Sequence, residues 1–233
     1  MLSMQFWERY FQVYDVLNQL IPYDELLASI VAALDVRQGD TIFDAGSGTG
    51  NLALKLHQAG ARVTGFDRSE VGTNIHRAKV PGEVLVGDIL APLPFPDASF
   101  DKVCSNNVLY TLPLEKQLSV VRELHRILKP GGTVVLANIT EGFQPIAIYA
   151  AHLRQDHERS GFFPMLGRIL QLLGPTARMF YYNWLIKREH RGAQAPLPTE
   201  AEQRQLLIDA GFRDVSMGKR VYAGHGILHR ATK

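Results

Sequence analysis

The chain has 233 residues, of which 46% are hydrophobic and 21% are charged, and these values are typical of one globular α/β domain with some additions. The net charge of +2 gives no reason to expect nucleic acid as a partner. Cys104 is the only cysteine, and neither a signal peptide nor a run of roughly 20 apolar residues is found, so we expect a cytoplasmic protein without internal disulfides or transmembrane segments.

Two helices are predicted before the first strand. Apolar residues recur at helical spacing over Phe6–Leu20, and a second helix is expected over Asp24–Leu34, with Pro22 where a first helical turn tolerates proline. Residues 1–36 should therefore form a helical cap beside the ends of the strands. The aromatic residues of this cap, among them Tyr14, either pack it onto the core or face a ligand.

A glycine-rich turn follows the first strand, Thr41–Phe43, and opens the next helix. From Phe43 it reads FDAGSGTGN, and such glycines let the chain turn tightly and bring its backbone and the helix N–H groups against a ligand. A dinucleotide fingerprint would have glycine in place of Asn51 and needs no acid in place of Asp44, which suggests a ligand with a cationic group. Taken alone, the motif also allows a turn without a ligand or a nicotinamide site.

The next strands also end in polar residues. The second strand, Arg62–Asp67, ends in an acid about twenty residues beyond the glycines, the separation at which a carboxylate meets ribose hydroxyls. Alternatively, Asp67 is an N-terminal helix residue with Ser69 as the cap. Asn106 leaves the fourth strand, Phe100–Ser105, at the carboxyl edge, where open α/β sheets bind ligands.

Several of these segments resemble one family. The glycine turn resembles motif I of class I S-adenosylmethionine (SAM)-dependent methyltransferases, and YDVLN at residues 14–18 is similar to the YDxxN segment of ubiquinone/menaquinone C-methyltransferases. The stretches FPDASFDKVCSNNVLYTL and LHRILKPGGTVVLAN resemble the family's blocks around strands four and five. The resemblance covers roughly residues 14–138, and the chain is identified as a methyltransferase of this class (type 11).

The resemblance implies SAM as cofactor and S-adenosylhomocysteine (SAH) as product. In the family the acid of motif I faces the methionine end of SAM, while an acid in the place of Asp88 accepts the adenine amino group and the next residue packs on the ring. The expected cofactor-binding residues are Asp44, Gly46, Ser47, Gly48, Asn51, Asp67, Arg68, Asp88, Ile89 and Asn106.

The predicted fold is an α/β, Rossmann-like, doubly wound sheet of seven strands in the order 3-2-1-4-5-7-6, with strand seven antiparallel. It rests on the βα alternation up to Ile139 and on a closing hairpin, Val215–Tyr222 with Gly226–Ala231. We expect one domain with the cap at 1–36, a SAM-binding core at 37–140 and 200–233, and a helical insertion at 141–199. A turn over Lys129–Gly132 should lead into strand five.

The insertion is rich in aromatic residues and should form about three helices, broken at Gly161–Pro164 and at Gly174–Pro175. Because it leaves the end of strand five, it is expected to cover the carboxyl edge as a lid. Its aromatic residues favour an apolar or aromatic acceptor. The alternative is a satellite core without a ligand role.

The remaining signals concern chemistry. The sequence lacks the blocks that would mark methylation of nucleic-acid bases or protein arginine, and it lacks carboxylates for a metal site after strand four. We therefore expect a small-molecule acceptor with an O, N or C nucleophile. The methyl group would be transferred to it by in-line displacement without a metal. His225 could take a proton, or could be a turn residue facing water. Tyr14 and Tyr110 could orient the acceptor. A SAM-binding module or partner subunit without turnover is the alternative function, while Asn51 disfavours an NAD-dependent oxidoreductase. The acceptor's identity, contact with a membrane surface and the oligomeric state stay open.

Overall fold

The computed structural model describes residues 3–192 and 197–233, without the side chains of residues 187 and 189–192. Its seven strands are β1 (Thr41–Ala45), β2 (Arg62–Asp67), β3 (Glu83–Val86), β4 (Phe100–Asn106), β5 (Leu128–Ile139), β6 (Lys219–Val221) and β7 (Gly226–Thr232). They form one sheet in the order β3-β2-β1-β4-β5-β7-β6, and β7 runs antiparallel to β5. The predicted order and the predicted direction of the seventh strand are therefore confirmed.

Eight α-helices surround this sheet in the described part of the chain. They are α1 (Met4–Tyr14), α2 (Ile21–Leu34), α3 (Asn51–Gln58), α4 (Glu70–Lys79), α5 (Leu114–Ile127), α6 (Pro145–Ser160), α7 (Phe162–Gly192) and α8 (Glu200–Asp209). One apolar cluster joins α2 and α3 to the sheet through residues such as Leu27 and Leu56, and a second joins α5 and α8 through Leu124 and Leu207. The two clusters give the sheet a packed layer of helices on each face.

The first predicted helix is shorter than expected. It ends at Tyr14 and continues as a 3-10 helix over Asp15–Gln19. Asp15 accepts hydrogen bonds from Thr49 and Lys79, and Asn18 donates one to Asn51. These contacts with the glycine turn and α4 hold Asp15 and Asn18 in place. The spacing of apolar residues along a helix does not predict such contacts.

Over residues 141–192 and 197–199, which the structure describes, the insertion contains two helices and not three. Gly161, with φ +81, separates α6 from α7 as predicted, but α7 runs unbroken through Pro175. A proline inside a helix removes one hydrogen bond and costs about 3 kcal/mol. The residues after it pack well, since Met179 is buried and the Phe180 ring lies 5.4 Å from that of Tyr149 on α6. This packing offsets the loss, and the predicted break at Gly174–Pro175 was wrong.

Two boundaries also differ near the end of the sheet. The predicted turn over Lys129–Gly132 is a bulge inside β5, because Leu128 pairs with Phe100 and the regular register resumes with Thr133 opposite Lys102. The first strand of the closing hairpin covers only Lys219–Val221. Neither difference moves the carboxyl edge of the sheet.

Most of the aromatic side chains on α7 face outward. Phe162, Phe163, Tyr181 and Trp184 are each more than half exposed, whereas Tyr182 packs with its ring centre 5.6 Å from that of Tyr10 on α1. The expected lid therefore contacts the cap through few of its aromatic residues. None of the helices, over the ranges that the structure describes, has the length and apolar character needed to cross a bilayer.

Candidate functional site

A cavity of about 1190 Å³, including its open mouth, lies at the carboxyl edge of β1, β2 and β4, beneath α1. Every predicted cofactor residue lines it, from Asp44 in β1 to Asn106 at the end of β4. Tyr14 and Tyr110 line it as well. The structure thus brings together all the predicted site residues except His225.

The glycine turn has the backbone that its sequence predicts. Gly46, Gly48 and Gly50 have φ values of 75°, 51° and 78°, a region that residues with a side chain rarely adopt. A Cβ on Gly48 would come within 2.9 Å of the Phe11 ring, and one on Gly46 would collide with Val108. Glycine is therefore needed both for the turn and for the close approach of the cap.

Two acceptors on the cavity wall lack hydrogen-bond partners. Asp44 is 1% exposed; its Oδ1 lies 3.6 Å from the Cys104 thiol, and its Oδ2 has no partner. Asn106 Oδ1 is likewise buried and unpartnered. The pKa of Asp44 is raised to about 7, mainly by burial, with a lowering by the hydrogen bond from the thiol and a smaller increase from the nearby charge of Asp67. Buried acceptors of this kind fit a cationic hydrogen-bond donor such as an ammonium group.

Asp67 joins the glycine turn to the start of α4. Its Oδ2 accepts from the Gly48 N–H and its Oδ1 from the Ser69 N–H, both at 2.9 Å, while the Ser69 hydroxyl accepts from the Gly72 N–H as the helix cap. Burial raises the pKa of Asp67, and these backbone bonds oppose the increase. Since each carboxylate oxygen can accept two bonds, both keep capacity for ligand hydroxyls.

The far end of the cavity is formed after β3. Asp88 is exposed there, and its Oδ1 accepts from the Leu90 N–H at 3.0 Å. Ile89 is 9% exposed and lines the cavity, as does Arg68 after β2. An exposed carboxylate next to an apolar side chain can accept from an amino group while a flat ring packs beside it.

A polar cluster holds the cap against the cofactor side of the cavity. Lys79 Nζ donates to Asp15 Oδ2 at 2.8 Å and to Asn51 Oδ1 at 2.6 Å. Asp15 Oδ1 also accepts from the Thr49 hydroxyl at 2.8 Å, and the Asn18 amide donates to Asn51 Oδ1 at 2.9 Å. Asn51 therefore faces the cavity and connects the cap, the glycine turn and α4.

Five tyrosines also line the cavity, and we call them the tyrosine wall. The lining contains Tyr10, Tyr14, Tyr23, Tyr110 and Tyr222, and the Tyr23 hydroxyl donates to that of Tyr14 at 3.3 Å. Burial raises the pKa of Tyr23 to about 12 and also raises the pKa of the other four. All five are therefore protonated near neutral pH, and the proton of Tyr23 is already donated to Tyr14.

His225 is the predicted site residue that the structure places elsewhere. It precedes β7 at the carboxyl edge, but its Nδ1 lies 3.2 Å from the Gly142 carbonyl oxygen and the ring is not part of the cavity wall. Tyr222, three residues earlier, is in the wall instead. Sequence reasoning missed Tyr222 and Tyr23, because an aromatic residue in a hairpin or on an apolar helix face is usually a core residue.

The chain is similar to proteins of known class. Residues 43–136 match a family described as a methyltransferase domain. A demethylmenaquinone methyltransferase of Staphylococcus epidermidis is 27% identical over 88% of this chain and 82% of its own length, and that of Geobacillus kaustophilus is 29% identical over 88% and 85%.

Solved structures agree on the fold. Magnesium protoporphyrin IX methyltransferase of Synechocystis with bound SAH superposes with a TM-score of 0.63 at 20% identity, over 97% of this chain and 93% of its own. A SAM-dependent methyltransferase of Mesorhizobium loti has a TM-score of 0.59 at 21% identity, over 88% and 96%.

Proposed function

Because the chain is a class I SAM-dependent methyltransferase, we propose that it methylates a small, quinone-like aromatic molecule bound between the tyrosine wall and the glycine turn. The observation that carries this proposal is that one cavity is lined by two chemically different groups of residues, buried acceptors without partners and tyrosine rings with hydroxyl groups. We assign the half of the cavity beside the unpartnered acceptors to the cofactor and the other half to the methyl acceptor.

The first half suits SAM. We assign the methionine ammonium to Asp44 and Asn106, whose buried oxygens have no partner in the protein. Asp67 takes the ribose hydroxyls, Asp88 takes the adenine amino group, and Ile89 packs on the adenine ring. The remaining contacts come from the glycine turn and the start of α3, with Gly46, Ser47, Gly48 and Asn51, and from Arg68 directly after β2.

The second half suits an aromatic ring that bears oxygen. SAM supplies an electrophilic methyl group, so the protein has to hold the acceptor's nucleophilic atom in line with it and keep water away. Tyr14 and Tyr110 orient the acceptor by donating hydrogen bonds to its oxygen atoms. The acceptor's proton does not pass to these phenols, because they are already protonated near neutral pH.

The relatives agree with this substrate class, since those described above are named demethylmenaquinone methyltransferases. We further propose that residues 1–36 and 141–199 serve the acceptor, while 37–140 and 200–233 form the cofactor core. From α7, Asn183 and Ile186 reach the cavity wall.

Turnover with a small acceptor panel tests the proposal. The protein is incubated with methyl-labelled SAM and 1,4-naphthoquinol, a simple phenol or an aromatic amine, and label in the organic phase is measured. We expect transfer to the quinol, and Tyr110→Phe should lower kcat/KM while leaving SAM affinity unchanged. Saturable SAM binding without transfer to any acceptor would instead support a SAM-binding partner without turnover.

A further inference from the structure

One side of α7 carries a row of exposed apolar residues. They follow one another at steps of three, four or eight residues, so at 3.6 residues per turn they lie within an arc of about 80°. Along the helix axis the row is about 30 Å long at 1.5 Å per residue. We call these residues the apolar stripe, and they are Phe163, Leu166, Leu170, Leu173, Tyr181 and Trp184.

The opposite side of α7 packs on the protein. Met179 and Ile186 are buried there, and Asn183 and Ile186 line the cavity of the candidate site. One helix therefore borders the cavity with one side and presents the stripe with the other. Because contact between apolar side chains and water is unfavourable, an exposed row of this length marks a surface that binds a protein or a lipid bilayer.

The charges of α7 favour an anionic bilayer over a second copy of the chain. Residues 162–188 contain no Asp or Glu. Arg178 is exposed one turn before Tyr181, and Arg188 is exposed one turn beyond Trp184, with its guanidinium 4.8 Å from the centre of the Trp184 ring. Two stripes packed on each other would place the arginines of both copies at the interface without a carboxylate from this part of either helix. Lipid phosphates would instead pair with them.

We propose that α7 docks along its length on the surface of a bilayer that contains anionic lipids. The stripe enters the boundary between headgroups and acyl chains, and Arg178 and Arg188 meet lipid phosphates. Tyr181 and Trp184 are residue types enriched at this boundary, because their rings are apolar and their tips are polar. The inference goes beyond the proposed function, since the stripe and the cavity are on opposite sides of the helix. Docking would keep the cavity about one helix diameter, ~10 Å, from the lipid.

Co-sedimentation with vesicles tests the proposal with the full chain. The vesicles consist of phosphatidylcholine alone or of equal parts of phosphatidylcholine and phosphatidylglycerol, and the fraction of protein in the pellet is measured. We expect binding to the mixed vesicles to be tighter by about tenfold or more, because each arginine near an anionic surface contributes about fivefold. Added salt should weaken this binding.

Two substitutions distinguish the stripe from exposed apolar residues elsewhere. Leu170→Glu puts a negative charge in the middle of the stripe and should weaken binding to the mixed vesicles by about tenfold or more. Met217→Glu is the matched control and should bind like the wild type, because Met217 lies outside α7 and is 77% exposed, compared with 66% for Leu170. Since both positions are on the surface, both variants should keep the melting temperature and bind SAH within about twofold of the wild type.

Several outcomes would overturn the proposal. They are equal binding to both kinds of vesicle, binding to neither, unchanged binding by Leu170→Glu, and an equal loss in both variants. A wild-type dimer in sedimentation velocity that Leu170→Glu makes monomeric, without vesicle binding, would assign the stripe to a second copy of the chain. Methyl transfer is not measured in these experiments, so their failure would leave the proposed function standing.

Discussion

The buried carboxylate of Asp44 should make the protein less stable without ligand as the pH rises. In the folded chain its pKa is about 7, compared with an ordinary value of 3.8. Between these two values the unfolded chain has lost this proton while the folded chain still holds it. The free energy of unfolding should therefore fall from about pH 4 to pH 7 and stay at the lower level above that.

The size of the effect follows from the pKa difference. At 1.36 kcal/mol per pKa unit, a change from 3.8 to about 7 corresponds to roughly 4 kcal/mol. Asp44→Asn keeps the shape of the side chain and removes the charge, so it should recover much of this energy at pH 8 and little at pH 4. The same variant should weaken SAH binding by about 1.5–3 kcal/mol, because a hydrogen bond to a charged group is lost.

Urea denaturation of both proteins at pH 4.5, 6 and 8, with SAH calorimetry at pH 8, measures these changes. Asp101→Asn is the matched control, since hydrogen bonds from Lys129 and Thr41 lower the pKa of Asp101 and the substitution should destabilise the protein at pH 8. If Asp44→Asn had the same stability as the wild type at pH 8, Asp44 would not be an uncompensated buried charge. Unchanged SAH affinity would reject its assignment to the ammonium group.

Three further substitutions have expected outcomes. Asp67→Ala should weaken the binding of SAM by about 1.5–3 kcal/mol, measured by calorimetry. Unchanged affinity would reject the assignment of Asp67 to the ribose hydroxyls. Gly48→Val should lose measurable SAM binding, because φ is +51° and a Cβ would press on Phe11; a thermal melt checks that the variant is folded, and retained affinity would contradict the assigned role of the turn. His225→Ala should change kcat by less than about twofold, since the ring lies outside the cavity wall, whereas a loss of ~10²-fold would restore it as the base.

Sequence patterns predicted the sheet well because each strand carries its own signal. Arg62–Asp67 was predicted with its observed bounds, since glycine turns and helix caps mark both ends. The predicted cofactor residues could be picked out for the same reason, as Asp44 is the last but one residue of β1, Asp67 is the last of β2 and Asp88 follows β3 by two residues.

Features that depend on contacts between distant segments were missed. Pro175 looks like a break in the sequence, and only the packing of Met179 and Phe180 against other elements shows why the helix continues. Tyr23 has the spacing of a core residue, and the sequence does not show that its hydroxyl meets that of Tyr14. His225 was placed at the correct edge of the sheet, but the direction of its ring is set by Gly142 in another loop.

The ion pair between Asp15 and Lys79 limits how the protein could be rebuilt as a chimera. Under the proposed division of the chain, exchanging the cap and the insertion for those of another methyltransferase should change the acceptor. However, the Asp15 carboxylate of the cap forms an ion pair at 2.8 Å with Lys79, which belongs to the cofactor core. A transplanted cap without a carboxylate at position 15 would leave Lys79 with Asn51 as its remaining partner in this cluster. The two positions must therefore be transferred together, and recombination points are better placed after β3 than between the cap and α4.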